Sequence, residues 1–321
     1  MATLSQYLIV SGSLLLAFAF VGAVATTTLL ALRERLARPA LTLGASAHLQ
    51  AESAAGARVA LTPPRGAGAS GPVLGASGQG FGADTLAGIS HGLTWAAFLL
   101  LATGMAIRAV IVGRGPWGNM YEFSIAFAVG ICAGYLFLER RYPIRSLAFL
   151  PLGVALFLVG YAATLPAAIE PLVPALDNAP LLTIHVAMAM IAYGILAVSF
   201  AAAVGYLLQG DSDRFAWLPA RRVLDEVAYR SVVVGFPVFA TMIILGSYWA
   251  SIAWGRYWGW DPKETSALVT WLIYAAYLHA RSRRGWAGRP AALILVIGFG
   301  AVLVTYFGNL FFAGLHTYSG L

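Results

Sequence analysis

Apolar residues fall in eight long runs along the chain, at about 6–31, 88–112, 120–138, 146–168, 183–208, 229–250, 265–281 and 291–313. A helix needs roughly 17–25 such residues to cross a bilayer core. The pattern therefore predicts an all-α polytopic bundle of about eight transmembrane helices. The first run is too long for the apolar part of a signal peptide and has no basic start, which predicts a retained helix. Between the first two runs, residues 39–87 are rich in Ala, Gly and Ser, with Pro63-Pro64 and few large apolar residues. This stretch reads as a disordered cytoplasmic linker, with His48 a solvated bystander. The chain then divides into an N-terminal helix (1–38), the linker (39–87) and a seven-helix core (88–321).

Composition narrows the class further. Of 321 residues, 60% are apolar and 10% charged, against ~45–50% and ~25% in soluble domains. An ordinary cytosolic enzyme is excluded. With Cys132 as the single cysteine, the chain has no internal disulfide, no CxxC and no CxxCH with which to carry covalently attached haem itself. The net charge of +7 suggests nucleic acid only until its distribution is read. Sixteen of the basic residues flank the side holding 32–87, 139–145, 209–228 and 282–290. Only Arg114, Arg256 and Lys263 lie on the other, and Arg108 sits inside the second run. Basic residues mark the cytoplasmic side, so the first side faces inward and both termini face outward.

The chemistry gathers on the outward side. Residues 249–264 hold Trp249, Trp254, Trp258 and Trp260, and Trp271 follows. Tryptophans favour the membrane interface, but an interfacial belt is spread over many helices. Here Trp254, Trp258 and Trp260 share one glycine-spaced loop, which suits a platform for a planar ligand. Asp261-Pro262-Lys263-Glu264 has the form of a helix start with a capping box. Arg256 and Lys263 either pair with ligand carboxylates or hydrate the interface. His185 opens the fifth run and His316 follows the eighth, so both reach the level of the Trp loop. Neutral imidazole is a common iron ligand, and two histidines bracketing such a loop suit an axial pair for haem. At the inner ends of the seventh and second runs, His279 and His91 lie at similar depth, and ionisable residues there are functional suspects.

The run Trp254-Gly-Arg-Tyr-Trp258-Gly-Trp260-Asp261-Pro-Lys-Glu264 resembles the tryptophan-rich WWD signature of cytochrome c biogenesis. The chain is similar to the CcsA/ResC family of System II, named CcsB in some actinobacteria. The likeness covers about 90–321 and takes in Gly115-Pro116, Asn119-Met-Tyr121-Glu122, Leu182-Thr-Ile-His185 and His316-Thr-Tyr318-Ser-Gly320. It implies a multi-pass protein of the bacterial plasma membrane that handles haem b as ligand and substrate. Its outer face would present haem for thioether bonding to the CxxCH of apocytochrome c, a synthase or haem lyase activity. His185 and His316 map to the outward iron ligands, and the Trp loop with Arg256, Asp261 and Lys263 to the surrounding haem site. His279 maps to a membrane histidine that binds haem in transit, whose mate lies in a ResB-type partner that this chain lacks. That absence implies a separate partner and counts against His91 as the second ligand. A thioredoxin-like thiol reductant completes the implied partners. Two other classes fit the residues less closely. One is a di-haem b-type electron-transfer protein or quinol oxidoreductase, which usually pairs histidines on opposing helices. The other is a solute transporter, which usually shows repeated halves.

Overall fold

A computed structural model describes residues 1–56, 81–169, 179–283 and 286–317, the side chains of 38–56, 81, 179 and 309 excepted. The described residues form eight long helices: α1 (Ala2–Gly56), α2 (Phe81–Val112), α3 (Met120–Glu139), α4 (Phe149–Ala162), α5 (Ala179–Gln209), α6 (Arg221–Trp254), α7 (Pro262–Arg281) and α8 (Arg289–Phe307). Seven are long and apolar enough to cross a membrane, α4 together with the 3-10 turn Arg145–Leu147 before it. The more polar α7 is the eighth, because Lys263, Glu264, His279 and Arg281 lower its hydropathy. The chain is a multi-pass helical bundle.

Helix boundaries differ from the apolar runs at the ends. α1 continues to Gly56 through an alanine-rich stretch of good helix formers, and α2 begins already at Phe81. The expected linker is thus helical at both edges, and 57–80 lie outside the described residues. So do Arg58, Arg65, Arg284, the loop 170–178 and Tyr318 through Gly320. α6 starts at Arg221, well before its apolar run, and carries Pro237 within it.

Small residues set the helix spacing. α1 lies antiparallel along α2: Ser5 donates to the Gly104 carbonyl at 2.8 Å, and Ser90 to that of Ala19 at 2.7 Å. A Cβ on Gly12 would meet Leu101, and one on Gly104 would meet Ile9. α3 is the central helix, packing on α4 and α5, and α5 also packs on α6 and α8. Where α3 crosses α5, a Cβ on Gly130 would lie 2.5 Å from the Met190 carbonyl oxygen, and one on Gly194 would run into Gly130. Backbones approach this closely in membranes because dispersion contacts, not the hydrophobic effect, hold helices together there.

The two ends of the bundle are polar in different ways. One end gathers arginine pairs. Arg281 binds Asp225 through both oxygens at 2.5 and 2.7 Å, Arg145 binds Glu139 at 2.7 Å, and Arg221 donates to Tyr206 at 2.5 Å. The other end holds the Trp loop and a buried ion network. Arg108, 2% exposed, donates to Glu122 at 2.5 Å and to the Ala167 and Ala168 carbonyls at 2.8 and 3.0 Å. The second Glu122 oxygen accepts from Gly118 N at 2.7 Å and Arg114 at 3.4 Å. A buried carboxylate left without such partners costs several kcal/mol, so the network pins the α2–α3 loop and its Trp117.

The α3–α5 crossing is directly testable. Gly130→Leu should lower the thermal midpoint of the detergent-purified protein by several degrees, the overpacking costing about 1–3 kcal/mol. Gly160→Leu should not, because no heavy atom lies within 4 Å of a Cβ there. Equal midpoints for the two variants would contradict the close crossing.

Candidate functional site

The site begins at the α6–α7 turn. α6 ends at Trp254, and Gly255 takes the left-handed conformation (φ 70°) that closes a helix. Asp261 caps α7 by accepting from Lys263 N at 2.9 Å, and Pro262 takes the first helical position. Glu264 closes the capping box by accepting from Asp261 N at 3.1 Å, and it also holds Gly259 N at 2.8 Å. The tryptophan loop is therefore fastened at both ends by backbone chemistry.

Asp261 has a second role. Its Oδ1 lies 2.7 Å from His316 Nδ1, and its Oδ2 accepts from Leu315 N. The start of α7 thus clasps the segment after α8. Gly314 permits the clasp, since a Cβ there would collide with Oδ2. Burial alone would raise the Asp261 carboxyl. The His316 contact and the Lys263 and Leu315 amides outweigh it and hold the group down at about 2. Burial pushes the His316 imidazole below the ordinary histidine range, against the pull of Asp261. At neutral pH the pair is accordingly a carboxylate accepting from a neutral imidazole at Nδ1, which puts the lone pair on Nε2. Trp254 braces the same ring edge-on at 4.9 Å, and Trp249 packs on Trp254 at 4.7 Å.

His185 reaches the same place from α5. Its Nδ1 lies 2.8 Å from the Met242 carbonyl oxygen of α6. A carbonyl only accepts, so Nδ1 carries the proton and Nε2 the lone pair. Gly246 makes room for the ring: a Cβ there would sit 2.6 Å from His185 Cε1. His185 and His316 line one cavity of about 1040 Å³, counted out to its open mouth. Its walls include Trp117, Trp249, Trp254, Trp258, Tyr193 and Tyr306, among aliphatic side chains and the Glu264 carboxylate. Lys263 also faces it, with its ammonium over the Phe123 ring at 5.7 Å.

Of the residues expected at the outer site, His185, His316, Trp254, Trp258 and Lys263 line this cavity, and Asp261 stands behind His316. Trp260 and Arg256 do not line it. Trp260 is 69% exposed, with φ at 56°, and meets the cavity wall only through an edge contact to Trp258 at 5.8 Å. Arg256 is exposed and folds along Gly259. The two inner histidines are not brought together. His279 is exposed on α7, where its Nε2 accepts from Arg283 at 3.1 Å. His91, on α2, is held at Nδ1 by Glu139 at 2.9 Å. α7 packs on α6 and α8, whereas α2 packs on α1 and α3. Sequence reasoning did not single out Trp117, Trp249 or Tyr306 as cavity walls, nor the Arg108–Glu122 pair. A lone arginine inside an apolar run was the one signal for that pair, since such a charge requires a buried partner.

Residues 117–316 match the family model described as cytochrome c assembly protein, and that span includes every cavity-lining side chain. Relatives named "Cytochrome c biogenesis protein CcsA" share about a third of their residues with the chain. The Synechococcus elongatus protein is 36% identical over 275 residues, covering 69% of this chain and 84% of the relative. The Parasynechococcus marenigrum protein is 36% identical over 265 residues, covering 72% and 86%. That of Guillardia theta is 32% identical over 263 residues, covering 73% and 86%. The chain therefore belongs to the cytochrome c assembly protein family, alongside the CcsA proteins of cytochrome c biogenesis.

Proposed function

We propose that this membrane protein of cytochrome c maturation holds haem as its substrate between His185 and His316 and presents it for covalent attachment to an apocytochrome. One observation carries the reading. Two histidines from distant parts of the chain, each with Nδ1 committed to a fixed acceptor, line a single cavity. Such anchored rings present Nε2 in a set direction, as metal-binding histidines do. Trp254 and Trp258 supply flat surfaces for the macrocycle, and Lys263 a cation for its carboxylates, with Arg256 at the rim. Asp261 strengthens His316 as a ligand, and axial ligands set the haem potential.

The chemistry asked of the site is small. Each of two thiols of an acceptor CxxCH adds across one haem vinyl group: sulfur bonds to one vinyl carbon and the thiol hydrogen passes to the other. No electrons are gained or lost, provided the thiols arrive reduced, which is the part of a thioredoxin-like partner. The acceptor histidine then takes an iron position and releases the product. Holding both reactants in place contributes up to ~7–11 kcal/mol in ideal cases.

The same reading extends to the rest of the chain. The arginine-rich end faces the cytoplasm of a bacterial plasma membrane, so the cavity opens on the outer face. Residues 88–321 form the haem-handling core, preceded by the N-terminal helix and its linker. His279, exposed at the inner end, binds haem in transit with a second ligand from a ResB-type partner, and His91 with Glu139 is the alternative inner ligand.

His185→Gly and His316→Gly should each stop cytochrome c maturation while leaving a folded protein. Added imidazole should restore part of the activity by supplying the missing nitrogen. Trp258→Ala should not be rescued, because imidazole cannot replace a stacking surface. Normal maturation in both glycine variants would sink the proposal. Asp261→Asn keeps a competent helix cap but loses the charge behind His316. It should weaken haem affinity by about 10–100-fold, as outer partners of metal-binding histidines do. Unchanged affinity would show that Asp261 only caps α7.

A further inference from the structure

The exposed tryptophan of the loop is held in place by its backbone rather than by packing of its ring. Trp260 has φ at 56°, a left-handed conformation that is uncommon for a bulky side chain. The amides of the residues on either side, Gly259 N and Asp261 N, both donate to Glu264 Oε2, at 2.8 and 3.1 Å. That pinch fixes the turn and sends the indole outward, 69% exposed. Strained backbone persists only where its surroundings enforce it, and it collects at functional sites. Tyr257, in the same loop, is 63% exposed, and its carbonyl accepts from the Ser247 hydroxyl at 2.7 Å. Two large exposed aromatics thus stand in a loop fastened from both α6 and α7.

The position of Trp260 gives the exposure a meaning. It meets Trp258 edge-on at 5.8 Å, and Trp258 is a wall of the cavity, so the indole stands on the cavity's rim. The lipid-facing stripe of α6 is elsewhere: Ile244, Tyr248 and Ile252 follow one another at four-residue spacing, each more than half exposed. Trp260 instead shares its loop with the exposed Arg256 and is followed by the helix-capping Asp261. A large ring among charged neighbours suits a polypeptide partner, since aromatic residues are the usual anchors of protein interfaces. Resting on the haem reading above, we infer that Trp260, with Tyr257 of the same loop, is the docking surface for the acceptor polypeptide and receives the segment that carries CxxCH. A segment whose thiols are to reach a vinyl group in the cavity has to pass its rim. Trp254 and Trp258 then act on the haem, and Trp260 acts on the acceptor. Because Glu264 fixes the loop beforehand, little ordering is left to pay on this side when the acceptor binds.

The test separates acceptor from haem. Cytochrome c yield is measured in cells as apocytochrome expression is raised stepwise, and haem affinity is measured on the purified full-length chain. Trp260→Ala should need about tenfold more acceptor for half-maximal yield, the scale of losing one aromatic anchor. It should reach the wild-type plateau and bind haem as wild type does. Trp260→Phe should recover most of the loss because it keeps a ring, and Tyr248→Ala on the lipid-facing stripe should behave as wild type. Unchanged acceptor dependence in Trp260→Ala would overturn the inference and leave the indole as a membrane-interface residue. Weakened haem binding would also overturn it, by returning Trp260 to the haem site. If the alanine variant does not accumulate in the membrane, Trp260→Gly, which suits a φ of 56°, takes its place and the same comparison decides. Failure of the haem reading itself is separate. In that case wild type would show no haem spectrum that depends on His185 and His316, whatever the acceptor curves do.

Discussion

The outer site depends on the Asp261 carboxylate. In a few ångströms it caps α7, receives the His316 ring and anchors the backbone at Leu315. Without it, the segment after α8 would be held to the Trp loop by ring contacts to His316, and that ring would lose the acceptor at its Nδ1. Local helix-start chemistry and long-range site assembly thus rest on one side chain, which explains why the group must stay ionised although buried. The His316 contact and the Lys263 and Leu315 amides hold the Asp261 carboxyl down at about 2, so the group is ionised at neutral pH.

The bundle around this site serves to bring several helix ends together. Glycine-mediated crossings draw α3, α5 and α6 close, so that His185 reaches across to the Met242 carbonyl at the cavity wall. The Arg108–Glu122–Arg114 network does the same for the α2–α3 loop from the opposite side. The inner end has no comparable construction among the described residues. His91 has a carboxylate behind it, whereas His279 is exposed on the bundle surface, on a helix that does not pack on α2. On the proposed reading, that asymmetry fits a cavity site built within this chain and an inner site completed by a partner. It gives no support to paired histidines on opposing helices.

Much of this was legible in the amino-acid order, because long apolar runs and capping residues act locally. Eight runs correspond to eight helices, and Asp261-Pro262 with Glu264 announces its capping box. His185, His316, Trp254 and Trp258 converge as their positions at helix ends imply. What order does not show is direction. Trp260 lies two residues from Trp258, yet its left-handed backbone turns it outward, and Arg256 follows the surface of the loop. Trp117, Trp249 and Tyr306 enter the cavity through tertiary packing alone, which no spacing rule encodes. The helical edges of the 39–87 stretch reflect alanine's propensity prevailing over a composition that reads as a linker.

The central claim is that one haem iron lies between His185 and His316. Electron paramagnetic resonance of ferric haem bound to the purified chain tests it most directly. The account predicts a low-spin, six-coordinate bis-imidazole spectrum that becomes high-spin in either His185→Gly or His316→Gly. A bis-imidazole spectrum that persists when both residues are glycine would contradict it.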